Sequence, residues 1–202
     1  MRLDFSNIKT LVLNCKDDSS RRQHISTQLS KCEIAFEIVE GIRCQPGFIG
    51  CALSHLKAIS HLALEPPFMI IEDDCSVTQD YQQVLDVPDR ADLVYLGVSK
   101  WGMIPGSSKG VYNTTVATRY NNTFLQVHNM LSAHAIIYLS ERVLAATRTC
   151  IIKYVLDSLP HDIGLARLQR EFIALTPNRP FFYQDANYGG QQKGTDTILQ
   201  AT

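Results

Sequence analysis

The sequence lacks the long apolar run that a membrane-spanning helix needs, and it lacks an excess of charge of either sign. No apolar stretch approaches the roughly 20 residues required to cross a bilayer. The 19 Lys and Arg residues nearly balance the 20 Asp and Glu residues, which gives a formal net charge of -1. This balance offers no electrostatic argument for nucleic acid or for a polybasic membrane anchor. We therefore expect no stable nucleic-acid partner, and any acidic ligand must be recognised by local groups.

The six cysteines include no Cys-x-x-Cys pair and none of the compact spacings that small secreted domains use for disulfides. Reduced, mostly buried thiols are the simplest interpretation. The first seven residues contain no apolar core of a signal peptide. We expect a cytoplasmic protein without a transmembrane segment, and the sequence does not specify an oligomeric state.

The order of strand and helix patterns predicts an α/β fold in a single domain. With 202 residues, 45% of them hydrophobic, the chain can bury one substantial core. Strand patterns at 10–13, 34–39 and 68–72 alternate with helical patterns that begin after Ser20 and at residue 52, which is typical of a mostly parallel sheet flanked by helices. Later predictions are strands at 93–96 and 135–139, loops with a hairpin over 101–122, and helices at 140–148 and 160–170.

Three consecutive carboxylates, Glu72, Asp73 and Asp74, directly follow the apolar run of residues 68–71. A buried strand that ends in acids places them at the sheet edge where open α/β folds bind ligands. Clustered carboxylates repel one another unless solvent, donors or a cation compensates, and Mg²⁺ or Mn²⁺ prefers such oxygen ligands. A metal and diphosphate site is therefore predicted, although an acidic turn can also be a solvated helix N-cap.

The block Gly47-Phe48-Ile49-Gly50-Cys51-Ala52-Leu53-Ser54-His55-Leu56, followed by Ile70-Ile71-Glu72-Asp73-Asp74, resembles the signature of glycosyltransferase family 25. Further segments resemble that family in the same order: residues 11–14 with Arg21 and Arg22, then 92–97, 133–140, 160–162 and 181–184. The resemblance spans about residues 9 to 185.

This resemblance implies a GT-A-like catalytic domain over residues 1–185, with 186–202 as a flexible tail or lid. It implies a metal-dependent inverting transfer of a hexose, galactose or glucose, from a nucleotide sugar such as a UDP-hexose. The acceptor would be a hydroxyl on a glycan, as in lipopolysaccharide biosynthesis. Mn²⁺ or Mg²⁺ would assist departure of the diphosphate.

The acidic turn and the first strand supply the candidate ligands of cation and donor. Asp74 is the expected metal ligand, with Asp73 or Glu72 assisting, and Glu72 is alternatively an acceptor of the ribose hydroxyls. Asn14, at the end of the first strand, is expected to meet the base or ribose. Arg21 and Arg22 are expected to reach phosphate, although such a pair is as often a solvated helix face.

Asp162 is the expected general base for the acceptor hydroxyl, carried over from the family motif; alternatively it is only a charge at a helix N-terminus. Ser54 and His55 begin the helix beneath the acidic turn, where His55 contacts phosphate, organises the turn or is structural. His55 and His61 do not share a helix face, so their spacing does not indicate zinc. Lys193, in the glycine-rich tail, is a candidate for closing over the diphosphate.

Two other functions use the same residues. A divalent-metal nucleotidyl or phosphoryl transferase also places clustered acids at a strand end, although it usually adds a glycine loop or clustered basic residues. A non-catalytic relative that binds nucleotide sugars or carbohydrate would keep the fold without turnover.

Overall fold

A computed structural model describes residues 1–60, 65–104, 107, 109–190 and 199–201. The helices are α1 (Ser19–Lys31), α2 (Gly47–Ile59), α3 (Glu141–Leu156) and α4 (His161–Leu168), with a 3₁₀ turn at Ala186–Tyr188. The strands are β1 (Arg2–Asp4), β2 (Lys9–Asn14), β3 (Glu37–Glu40), β4 (Phe68–Glu72), β5 (Cys75–Val77), β6 (Val84–Asp86), β7 (Leu93–Tyr95), β8 (Trp101–Met103), β9 (Gly110–Tyr112), β10 (Ala117–Arg119), β11 (Phe124–Val127), β12 (Ala135–Tyr138), β13 (Ala174–Pro177) and β14 (Phe182–Gln184).

An eight-stranded sheet forms the centre, in the order β10-β11-β13-β7-β12-β4-β2-β3. The pairings set six of these strands in one direction and only β11 and β12 in the other. The predicted α/β class, with a mostly parallel central sheet flanked by helices, is confirmed. The predicted hairpin in the 101–122 segment is also present, as the antiparallel pair β8 and β9.

The chain reverses its direction of sheet growth at β2. After β2, helix α1 leads to β3, which pairs with one edge of β2. Helix α2 then leads from β3 to β4, which pairs with the opposite edge of β2. A crevice opens where two such crossovers diverge, at the carboxyl ends of the parallel strands. The parallel register pairs Leu13 with Glu72, so Asn14 and the acidic turn leave the sheet side by side.

Strand β4 is buried on both faces, which explains its uninterrupted apolar run. Phe68 and Ile70 pack with α2 and α3 residues on one face, and Met69 and Ile71 pack with α1 residues on the other. All four side chains have no exposed surface.

Two helices differ in length from their prediction. α2 begins at Gly47 rather than at residue 52, because Pro46 in an extended conformation directly precedes it. Gly50 lies against the preceding loop, where a β-carbon would overlap the carbonyl oxygen of Ile42. α3 continues to Leu156 rather than ending near 148, since Ile151 and Tyr154 extend its buried face.

The predicted C-terminal part of α2, at residues 61–64, lies outside the described residues, as do most of the proposed lid and its Lys193. Among the helices of the described part of the chain, none is both long and apolar enough to cross a membrane.

Truncation of Ile70 to alanine should destabilise the fold by about 3 kcal/mol, because it removes buried methyl groups and leaves a cavity between β4 and the helices. Ile152, which is 47% exposed on α3, is the matched control, and Ile152→Ala should change stability by less than about 1 kcal/mol. Urea denaturation monitored by circular dichroism measures both values. Equal losses in the two variants would contradict the assigned core.

Candidate functional site

The acidic turn lies at the switch point of the sheet. Glu72 is the last residue of β4, and Asp73 and Asp74 form the turn into β5. The two aspartates are only 7% and 6% exposed, so solvent alone does not neutralise them. The interpretation of this turn as a solvated N-cap is therefore wrong: a strand follows it, not a helix.

Asp73 is neutralised by residues of β2 and α1. The Asn14 amide donates to Oδ2 at 2.8 Å, and the Arg21 guanidinium forms an ion pair with Oδ1 at 3.0 Å. The same Asn14 amide also donates to the backbone carbonyl of Asp18, and Asp18 is the N-cap residue of α1. Asp73 thus fixes β2, the start of α1 and the acidic turn relative to one another.

Among the residues that the structure describes, no Lys or Arg forms an ion pair with Asp74 or Glu72. They share one donor, the Gln184 amide, at 3.4 Å from Asp74 Oδ2 and 3.0 Å from Glu72 Oε2. Within the described residues, the buried Asp74 Oδ1 has no hydrogen-bond partner. Burial, with the negative charge of Glu72, raises the pKa of Asp74 to about 8, and burial raises the pKa of Glu72 to about 7. An unpaired buried oxygen beside a second carboxylate fits a hard divalent cation.

The other oxygen of Glu72 faces α2. Glu72 Oε1 lies 2.9 Å from His55 Nε2 and 3.5 Å from Cys51 Sγ. His55 is 1% exposed, and its burial lowers its pKa to about 4. The imidazole is therefore neutral at physiological pH and positions the Glu72 carboxylate.

Two open clefts meet at Glu72 and Cys51. The first cleft, of about 420 Å³, lies on the β2 side; it is lined by Leu13, Asn14, Cys15, Asp18, Arg21, Gly41, Ile42, Arg43, Cys44, Gln45, Gly47, Cys51, Ser54, Glu72, Asp73 and Asp74. The second cleft, of about 440 Å³, lies on the α4 side; it is lined by Phe48, Cys51, Glu72, Ser99, Trp101, Gly110, Leu131, Ser132, Ala133, Pro160, His161, Asp162, Ile163 and Gln184.

The first cleft combines carboxylates with groups that bind anions. Arg21 and Arg43 both line it. The N-terminus of α2 also reaches it through Gly47, and no side chain caps the backbone N–H groups of that helix end. Uncapped N–H groups at a helix start attract phosphate.

The second cleft contains Asp162 and an aromatic wall. Asp162 lies in the first turn of α4, half-buried, and accepts a hydrogen bond from the Ile163 N–H at 2.9 Å. Burial and the nearby Glu72 charge raise its pKa. Trp101, 38% exposed, packs edge-to-face against Tyr112 on the β8–β9 hairpin.

Two predicted residues are placed differently from the rest. Ser54 lines the first cleft, but its hydroxyl donates to the Gly50 carbonyl and accepts from the Ile42 N–H, so it holds the loop before α2. Arg22 is exposed on α1 and lines neither cleft, unlike Arg21. The solvated-face interpretation therefore describes Arg22 better than phosphate binding does.

Several site residues were not found from the sequence. Gln184 reaches the carboxylates because β14 pairs with β5, a contact between residues about 110 positions apart that no local pattern reveals. Cys51 was also missed, although it lies four residues before the predicted His55, a spacing that places two ligands on one helix face. His161 joins them by packing of α4 against α2, with ring centroids of the two histidines 4.8 Å apart.

Comparison with known proteins gave no matching family model and no matching curated protein. Among solved structures, the chain is similar to a CTP:phosphocholine cytidylyltransferase of Streptococcus pneumoniae, with 7% identity and a TM-score of 0.43 over 88% of this chain and 93% of that chain. A nucleoside-diphosphate-sugar pyrophosphorylase of Vibrio cholerae has 13% identity and a TM-score of 0.42 over 85% and 73%. An inositol-1-phosphate CTP transferase of T. maritima has 12% identity and a TM-score of 0.39 over 88% and 70%.

The predicted membership of glycosyltransferase family 25 is therefore wrong. No model of that family, or of any other, matches the chain. The UDP-hexose donor, the glycan acceptor and inversion at the anomeric carbon were implied by that resemblance, and they are withdrawn with it.

The raised pKa values of Glu72 and Asp74 predict a pH-dependent stability. Between about pH 7 and 8 the buried histidines, whose pKa values are lowered, are mostly neutral in both the folded and the unfolded state, whereas the folded protein still holds carboxyl protons that the unfolded chain has lost. The free energy of unfolding should therefore fall over this range by about 1 kcal/mol. Urea denaturation across this range measures the loss. Asp74→Asn should flatten the dependence, and saturating Mg²⁺ should also reduce it. If the free energy of unfolding had the same slope against pH in the wild type and in Asp74→Asn, the raised pKa of Asp74 would be contradicted.

Proposed function

We propose that this chain is a divalent-metal-dependent transferase that moves a phosphorus-containing group of a nucleotide to a hydroxyl acceptor, in a nucleotidyl or phosphoryl transfer. The observation that carries the proposal is the buried Asp74 carboxylate, whose Oδ1 is unpartnered among the described residues and which lies beside Glu72 at the switch point between two clefts.

The first cleft has the chemistry of a nucleotide phosphate site. Asp74 and Glu72 would hold the cation, and Arg21, Arg43 and the N-terminus of α2 would meet phosphate oxygens that the cation does not cover. Arg21 and Arg43 are far apart in the sequence but line the same cleft, so the fold supplies the clustered basic residues that the sequence did not reveal. When bound, the cation supplies neutralisation of the charge that develops on the phosphates.

Asp73 and Asn14 have supporting roles in this proposal. Asp73 is bonded to Arg21 and Asn14, so it fixes the guanidinium at the cleft rather than binding the cation itself. The buried Asn14 Oδ1, which has no partner among the described residues, is left to accept a hydrogen bond from base or ribose.

The second cleft has the chemistry of an acceptor site. Asp162 would take the proton of the acceptor hydroxyl, and its raised pKa brings its basicity closer to neutral pH. Because Glu72 lines both clefts, an acceptor beside Asp162 can approach a phosphorus atom bound beside Asp74. Trp101 offers a flat apolar surface for the acceptor.

Asp74→Asn should weaken metal-dependent nucleotide binding by at least about tenfold, because it removes one charged oxygen from the cation site. Calorimetry with the common nucleoside tri- and diphosphates, with and without Mg²⁺ or Mn²⁺, measures the affinity. Asp86→Asn is the matched control, since Asp86 is exposed on β6 and lines neither cleft. A nucleotide affinity that changes neither when the cation is omitted nor in Asp74→Asn would overturn the proposal.

Asp162→Asn should lower turnover by about 10² to 10⁴, the usual contribution of a general base, while nucleotide affinity stays within about twofold. Phosphorus NMR of nucleotide hydrolysis, in which water replaces the acceptor, follows turnover without knowledge of the acceptor. Asp157→Asn, an exposed carboxylate at the end of α3, is the control. Unchanged hydrolysis in Asp162→Asn would refute the role of this residue, and tight binding without any turnover would indicate a binding protein.

A further inference from the structure

A second group of metal-ligating side chains lies in the wall between the two clefts. Cys51 and His55 project from the same side of α2, and His161 begins α4 opposite them. One ligand atom of each residue lies within 4.8 Å of the others. Glu72 Oε1 contacts two of the three, Cys51 Sγ and His55 Nε2.

The spacing of these atoms is close to that of a tetrahedral site. Zinc bonds of about 2.3 Å to sulfur and about 2.0 Å to nitrogen place ligand atoms roughly 3.3 to 3.6 Å apart. The distances from Glu72 Oε1, 3.5 Å to Cys51 Sγ and 2.9 Å to His55 Nε2, lie near this range. The upper limit of 4.8 Å among the other three atoms exceeds it by about 1 Å, which side-chain rotation can close.

In the described part of the chain, each histidine has one free nitrogen: His161 Nε2 is free to bind a cation, and His55 Nδ1 is free to take the proton when a cation binds at His55 Nε2. His55 and His161 are 1% and 4% exposed, and within the described residues neither His55 Nδ1 nor His161 Nε2 has a hydrogen-bond partner. Buried polar groups without partners are costly, so they point to something that completes the site.

The donor set differs from that of the acidic turn. Thiolate and imidazole are ligands of Zn²⁺ and its analogue Co²⁺, whereas carboxylate oxygens prefer Mg²⁺ and Mn²⁺. We propose that Cys51, His55, His161 and Glu72 Oε1 form a tetrahedral site for one zinc-class cation, distinct from the hard-cation site at Asp74. The cation would join α2, α4 and β4, and so fix the position of Asp162 on α4.

The test is cobalt titration of the full-length, chelator-treated protein under reducing conditions. We expect one equivalent of Co²⁺ with intense tetrahedral visible bands and a thiolate-to-cobalt charge-transfer band, which Zn²⁺ then bleaches by displacement. Cys51→Ser should lose the charge-transfer band. His161→Gln should keep that band and weaken Co²⁺ binding at least about tenfold.

Two controls separate this site from other cation sites. Cys44→Ser, on the loop before α2 and outside the cluster, should retain the full spectrum. Asp74→Asn should also retain the charge-transfer band, even if it abolishes nucleotide binding, so the proposal stands or falls independently of the proposed function. Circular dichroism checks the fold of each variant. If Cys51→Ser fails to fold, the cobalt spectrum of the wild type and the Co²⁺ affinity of His161→Gln test the proposal. A wild-type spectrum without the thiolate band would overturn the proposal, as would a weak octahedral spectrum that Asp74→Asn removes.

Discussion

The burial of three successive carboxylates at the end of one strand is the constraint on which the site depends. Within the described residues, Asp73 is the one of the three that pairs with Lys or Arg, and its bonds to Arg21 and Asn14 tie β2 and α1 to the acidic turn. Glu72 and Asp74 share the amide of Gln184, Glu72 also contacts His55 and Cys51, and both carboxyls have raised pKa values. A buried pair of this kind is destabilised when both members are ionised. The fold therefore holds two carboxylates in a state that the proposed cation would relieve, at the position where parallel α/β sheets bind their ligands.

Glu72 connects the two halves of the site because its oxygens face opposite ways. Oε2 accepts from Gln184 on the side of Asp74, and Oε1 lies against Cys51 and His55 of α2. In the two proposed cation sites, this side chain would contribute both to a hard oxygen environment and to a softer sulfur and nitrogen environment, which would favour different cations. It also lines both clefts, so a nucleotide on the Arg21 side and an acceptor on the Asp162 side would meet at this residue.

Local patterns predicted the elements that are long or continuously apolar. The parallel strands β2 and β4 and the helices α1, α2 and α4 were found near their observed positions, because burial on one or both faces leaves a periodic signal. The short strands β1, β5, β6, β10, β11, β13 and β14 were missed because, unlike the equally short β7 and β12, they lack a continuous apolar run. Motif resemblance was a poorer guide than periodicity: the Gly47 to Leu56 block reflects a helix start that packs closely at Gly50, and such packing does not specify a reaction.

The sequence by itself determined the α/β class and the placement of three acids at the end of a buried strand, since both follow from hydrophobic periodicity and its abrupt end. Only the tertiary structure decided which of these acids is neutralised, because Arg21 reaches Asp73 from α1 and leaves Asp74 Oδ1 without a partner in the described part of the chain. It also decided that His161 joins Cys51 and His55, and that Gln184 bonds Glu72 from 112 positions away. These contacts depend on the packing of α4 on α2 and on the pairing of β14 with β5. The elements of each pair are far apart in the sequence, so a local sequence pattern does not predict that they meet.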